Sequence, residues 1–99
     1  MVKKFTFKKT IHTGRYRSFE RDHTTIKFDK LEVGCISEGS DCLYHISFAV
    51  KREPTKEDPA PFKWVRLKYV APDEKDARNF VNKYRDRIHN KYNLHQFED

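Results

Sequence analysis

Cysteine is scarce: Cys35 and Cys42 are the two in 99 residues. That is too few for a disulfide framework, and neither sits in the short CxxC or HxxxH spacing that holds zinc. No apolar run approaches the length of a membrane span. The opening residues, MVKKFTFKK, carry positive charge but no apolar stretch. A secretory signal is therefore not expected, and a cytoplasmic protein is. No GxGxxG, GKS/T or HExxH occurs, so the phosphate-cradling and zinc-hydrolase signatures are absent. The five histidines are scattered, and none has a carboxylate at a useful spacing. The chain reads as a non-enzyme with no cofactor and no metal.

What is present is charge and aromatic side chains. Charged residues make up 36% and mean hydropathy is -0.97, values that alone would fit a disordered chain. Disordered chains are poor in aromatics, but here they are 14%, and the apolar residues are patterned. A single folded domain over residues 1–99 is expected. The net charge of +6 lies wholly in residues 1–30, which hold nine basic against three acidic residues, while residues 31–99 hold twelve of each. Such an excess suits an anionic partner, although it also serves solubility.

The clearest element is residues 73–92. Ala77, Phe80, Val81, Tyr84, Ile88 and Tyr92 recur at three- and four-residue spacing, the stripe of one amphipathic helix. Pro72 suits its edge, Asp73 its N-cap, and acidic residues open it while Arg85, Arg87, His89 and Lys91 close it. Upstream, residues 3–12 alternate Phe5 and Phe7 against lysines, as in a half-buried strand with a basic outer face. Residues 13–25 show no period and read as a loop. It crowds Arg15, Tyr16, Arg17 and Arg21 together with Phe19 and His23, a mixture suited to phosphate contact and base stacking. Residues 26–37 read as a strand whose parity changes at Asp29-Lys30. A tight turn or a bulge would do this, and a bulge is preferred because both residues fit a primed turn poorly.

Residues 38–41 are the best turn, joining residues 31–37 to 42–52 as a hairpin. With Glu38-Gly39 central, Cys35 and Cys42 would face each other, so a cross-strand disulfide is geometrically conceivable, while a reducing cytosol favours two thiols. Residues 53–61 are a proline-rich loop, and residues 62–70 a last strand. The expected fold is α+β: an antiparallel sheet of about four strands on one C-terminal helix, with residues 93–99 a tail in which Leu94 and Phe97 tuck back. Tyr44, Ile46, Phe48 and Val50 with Val65, Leu67 and Tyr69 would lie under the helix. His45, Ser47, Lys51, Trp64, Arg66 and Lys68 would face solvent on the other side. Along the helix, Arg78, Asn82, Arg85 and His89 share a flank that would serve as a phosphate-facing edge or a solvated one.

In element order, GCISEGSDCLYHISFAV, FKWVRLKYV and DEKDARNFV resemble the three-stranded-sheet-plus-helix DNA-binding domains of the AP2 type and the arm-binding domains of phage and transposon integrases. The resemblance spans residues 31–92. It implies that the sheet meets DNA, here through Lys51, Trp64, Arg66 and Lys68. The N-terminal strand and loop are additions to that pattern. The candidate binding set is then Arg15, Tyr16, Arg17, Arg21, Lys51, Trp64, Arg66 and Lys68, with nucleic acid, DNA before RNA, as the partner. The rival is a protein-interaction module, a small inhibitor or adaptor, anchored by exposed Trp64 and Phe62 with Arg66 beside them. No membrane partner is expected, and oligomeric state is open.

Overall fold

The computed structural model describes residues 3–12 and 21–97. Five strands run β1 (Thr6–His12), β2 (Arg21–Phe28), β3 (Leu31–Glu38), β4 (Tyr44–Lys51) and β5 (Phe62–Ala71). They form one antiparallel sheet in the order β1-β2-β3-β4-β5. Two helices follow, α1 (Glu74–Lys83) and α2 (Arg85–Lys91). The class is the α+β arrangement expected from the sequence, with one strand more.

The extra strand arises because the single strand expected over 26–37 is divided at Asp29-Lys30 into β2 and β3, and residues 21–25, which the sequence pattern assigns to a loop, lengthen β2. RDHTT lacks an apolar alternation because its inward side chain is Thr24, buried at 1% exposure. The Thr24 hydroxyl donates to Glu74 at 2.7 Å, which satisfies it without an apolar residue.

β2 and β3 join through Asp29 and Lys30, both at positive φ (51° and 69°). This is the tight primed turn, and the bulge preferred at these two residues is not there. It lies further on: Ile26 pairs with Gly34 and Lys27 with Glu32, leaving Val33 as the extra residue. The bulge turns Val33 inward, where it is fully buried. Asp tolerates the left-handed region through its short side chain, but Lys30 has no such excuse.

β3 and β4 pair from Gly34–Phe48 to Glu38–Tyr44. Cys35 therefore stands opposite Ser47, so the facing of Cys35 and Cys42 that a Glu38-Gly39 turn would give does not occur, and both are free thiols. Cys42 sits instead in a five-residue connection at φ 62°. That connection is closed by Gly39 N–H to Leu43 O at 2.8 Å and by Asp41, which accepts from Leu43 N–H at 3.0 Å. Gly34 is required by close approach: a Cβ there would meet Ser47 O at 2.4 Å and the Phe48 ring at 2.9 Å.

The helix begins as the sequence implies. Asp73 is the N-cap, its carboxylate accepting from Asp76 N–H at 2.7 Å. The expected single helix is interrupted at Tyr84 (φ -107°, ψ 23°). There the Arg85 guanidinium donates to Asn82 O at 2.8 Å, taking a carbonyl that a continuing helix would use. The apolar row nevertheless carries across. Ala77, Val81 and Ile88 are buried against Ile26, Val33, Ile36, Ile46 and Phe48, with Phe80, Tyr84 and Tyr92 packed around them. Each fully buried Val, Ile or Phe side chain contributes roughly 1.5–3 kcal/mol by burial, and Ala77 less.

Beyond the Gly34–Phe48 pair, β3 and β4 diverge, and the C-terminal segment enters between them. Lys51 N–H bonds to Asn93 O at 2.7 Å, His95 N–H to Ala49 O at 2.8 Å and Phe97 N–H to Glu32 O at 2.9 Å. Leu94 bridges Val50, and Phe97 bridges Glu32. The tail is thus a short inserted strand. Leu94 joins the core on the helix side, while His95 and Phe97 reach the opposite face.

Two substitutions test this backbone reading by urea denaturation. Gly34→Ala lowers the midpoint by about 1–3 kcal/mol equivalent, the range for overpacking a closed site. Lys30→Gly raises stability by up to about 1 kcal/mol by removing left-handed strain; an unchanged midpoint would mean Lys30 is unstrained.

Candidate nucleic-acid interface

The helices cover one face of the sheet and leave the other open. Alternation from the register assigns the rows of the open face. One row runs Lys8, Thr25, Cys35, Ser47, Arg66 across all five strands. Beside it lie Thr6, Lys27 and Glu32 on β1–β3, and Ala49 and Trp64 on β4–β5. On the other side run His23, Ser37, His45 and Val70. The middle of this face is small and polar, its cations sit towards the edges, and one end is aromatic.

The aromatic end is built from two distant parts of the chain. Phe62 stacks on His95 at 4.8 Å and meets Phe97 edge-on at 4.7 Å. Trp64 lies over Phe97 at 5.8 Å, the planes 20° apart. Phe62 is half-buried by these contacts, whereas Trp64 remains 49% exposed. His95 and Phe97 are absent from the sequence-derived site. Their alternation with Leu94 in a seven-residue tail was too short a signal to assign them to this face.

Of the sequence-derived residues, Lys51, Trp64 and Arg66 come together on the open face. Lys51 stands opposite Phe62, and Arg66 opposite Ser47. Lys68 falls in the segment between Arg66 and Val70, where the β4–β5 register shifts. Arg21 opens β2 opposite His12 rather than lying in a loop. Arg15, Tyr16 and Arg17 lie outside the described residues. The strands of this face present Lys8, Lys27, Lys51, Arg66 and Lys68 against one carboxylate, Glu32, among the described residues.

Two candidate reactive groups on this face are quiet. Burial, reinforced by the Glu32 carboxylate, pushes the Cys35 thiol above its usual range, and nearby Arg66 only partly opposes this. A raised thiol is a poor nucleophile. His45 does have a carboxylate, contrary to the sequence reading: Asp41 lies 3.1 Å from its Nε2. The Leu43 backbone N–H, helped by His45, holds Asp41 below its ordinary range. No acceptor or donor meets the buried Nδ1 of His45, so no hydroxyl is engaged for attack. Among the described residues, no group of three His, Cys, Asp or Glu is placed to hold a metal, and no helix is long and apolar enough to cross a membrane.

The helix flank is not a phosphate-facing edge. Arg78, Asn82 and His89 are turned towards β1, β2 and Phe5 just before β1, and Arg85 onto the Asn82 carbonyl. Arg78 donates to Glu74 from Nε at 2.9 Å and lies 5.2 Å over the Phe7 ring. Lys9 reaches the same Glu74 at 3.2 Å. Burial opposes the Glu74 charge, but the Thr24, Arg78 and Lys9 donors outweigh it and hold the carboxyl below its ordinary value. Asn82 accepts from the Phe5 N–H at 2.8 Å. His89 stacks on Phe5 at 4.9 Å and lies 4.5 Å from Phe28, and its Nε2 is buried without a partner. Burial lowers its pKa, and Asp86 only partly compensates.

No protein-family model, curated protein or solved structure matches the chain.

The flank makes a pH prediction. His89 is depressed in the fold, so its neutral form is the stable one. Stability is complete well above the ordinary histidine value of 6.5 and is lost as pH falls below it, because the unfolded chain takes up the proton first. Glu74 adds a second loss in the same direction, beginning near its ordinary value of 4.5. Denaturation midpoints followed from pH 8 down to pH 2 should show both steps. His89→Phe removes the first and leaves the second; a variant that keeps both excludes His89 as the source.

Proposed function

We propose that this chain is a small non-catalytic nucleic-acid-binding domain, and that the open sheet face binds a single strand. The observation that carries this reading is Trp64, half exposed beside Phe97 at the end of a face whose strands carry five cations and one carboxylate. A base stacks on an exposed ring, and cations along the same face meet the phosphates. The width of the sheet favours a single strand over a duplex groove. Five strands leave four gaps of about 4.8 Å, about 19 Å in all, whereas a major groove is about 12 Å wide. In AP2-type domains three strands meet DNA; here β1 and β2 widen the sheet and bring Lys8 and Lys27 onto it. DNA is the first partner to test. The same face is less suited to anchoring a protein, since Phe62 is already enclosed by His95 and Phe97.

Trp64 is the single tryptophan of the chain, so its emission reports the site directly. Titration with a thymidine oligonucleotide at low salt should quench it. Trp64→Ala, followed by anisotropy of a labelled oligonucleotide, should cost about 1–3 kcal/mol. If three to five cations each meet a phosphate, log Kd against log salt has a slope of about 2 to 3.5. No quenching and no anisotropy change with single strand or duplex at low salt would sink the proposal.

A further inference from the structure

The opposite side of β5 carries a second surface. β5 is an edge strand, ten residues long, and among the described residues no strand pairs with its outer side. Between it and the helices lies an open groove of about 620 Å³. Leu67 and Tyr69 form its strand wall, and Tyr84 and Ile88 its helical wall. Tyr69 is held by two contacts: it stacks on Phe80 at 4.0 Å and donates its hydroxyl to Asp76.

The groove is basic on both sides. Arg66 and Lys68 line it from β5, Arg87 and Lys91 from α2, and no carboxylate lines it. Arg87 and Lys91 are one helical turn apart and rest over Tyr84 (5.7 Å) and Tyr92 (5.4 Å). None of the four cations is ion-paired with a described residue.

We propose that this groove takes an extended acidic segment of a partner protein, added as a sixth main-chain strand along β5. A free strand edge presents alternating N–H and C=O groups that match a peptide backbone and have no counterpart in a phosphodiester. Side chains alternate on the added strand, so its acidic set enters the groove and meets Arg87 and Lys91, while the apolar set lies towards the open-face side. Charge also selects the occupant. A second copy pairing through its own β5 would bring Arg66 and Lys68 against like charges, which disfavours self-association and favours an acidic strand. Arg66 and Lys68 on β5 border both this groove and the open face, whereas Arg87 and Lys91 line the groove alone and so separate this proposal from the nucleic-acid reading.

The test uses fluorescein-labelled ten-residue peptides on the full chain, read by anisotropy and by amide shifts. A peptide alternating Glu and Val binds and shifts the amides of β5. The Lys–Val counterpart does not bind, and neither does a Glu–Val peptide N-methylated at alternate residues. Arg87→Glu with Lys91→Glu weakens the acidic peptide about tenfold or more, while the charge-matched pair Lys56→Glu with Lys75→Glu leaves it unchanged. Both double variants are checked for an unaltered thermal midpoint, and wild-type amide shifts stand alone if either fails to fold. Oligonucleotide binding persists in Arg87→Glu with Lys91→Glu, so the two surfaces fail separately. The proposal is overturned if the acidic peptide does not bind below about 1 mM, if the N-methylated peptide binds equally, if charge reversal has no effect, or if that reversal abolishes oligonucleotide rather than peptide binding.

Discussion

Phe48 lies over the bare backbone of Gly34, and the rest of the molecule is arranged around that contact. A side chain at Gly34 would collide with Ser47 O and the Phe48 ring. With none there, the ring settles at the sheet centre, 5.6 Å from Phe5. Gly34–Phe48 is also the last pair of the β3–β4 ladder. Immediately beyond it the Val33 bulge turns β3 away, and the gap admits residues 93–97. Unpaired strand edges inside a sheet are costly, so the tail, by bonding to both, closes them. The aromatic end of the open face follows from this, because the inserted strand carries His95 and Phe97 out beside Phe62 and Trp64.

Charge is distributed by what each face has left to satisfy. Cations on the helix flank are consumed within the fold: Arg78 and Lys9 by Glu74, Arg85 by the Asn82 carbonyl. Those on the open face and along the β5 groove meet few carboxylates. Surplus positive potential therefore gathers at two surfaces on either side of the last strand. Surface ion pairs add little to stability. Leaving these cations unpaired thus costs the fold little and keeps them available for anionic partners.

Several features were readable in local pattern. Asp73 as N-cap, the Ala77–Val81–Ile88 stripe and the alternation of Tyr44, Ile46 and Phe48 all follow from periodicity and capping. From them came the assignment of the helix-covered face, and hence the solvent-facing placement of Trp64 and Arg66. Other features left no local trace. Thr24 is buried because Glu74, fifty residues away, accepts a hydrogen bond from its hydroxyl, so residues 21–25 lacked an apolar alternation. Asp29-Lys30 were poor turn residues by propensity, yet strand packing on both sides holds them at positive φ. His89 looked like a cation at a helix end until Phe5 and Phe28 enclosed it.

The sequence by itself determined the α+β class, the inward stripe of the helix and the two faces of β4 and β5, because each depends on the repeat of neighbouring residues. Only the tertiary structure decided the register that separates Cys35 from Cys42, the tail's place between β3 and β4, and the groove beside β5. The reason is physical: the length of the 39–43 connection sets every β3–β4 pairing behind it, and a strand gap is filled by whichever distant segment can satisfy both of its edges.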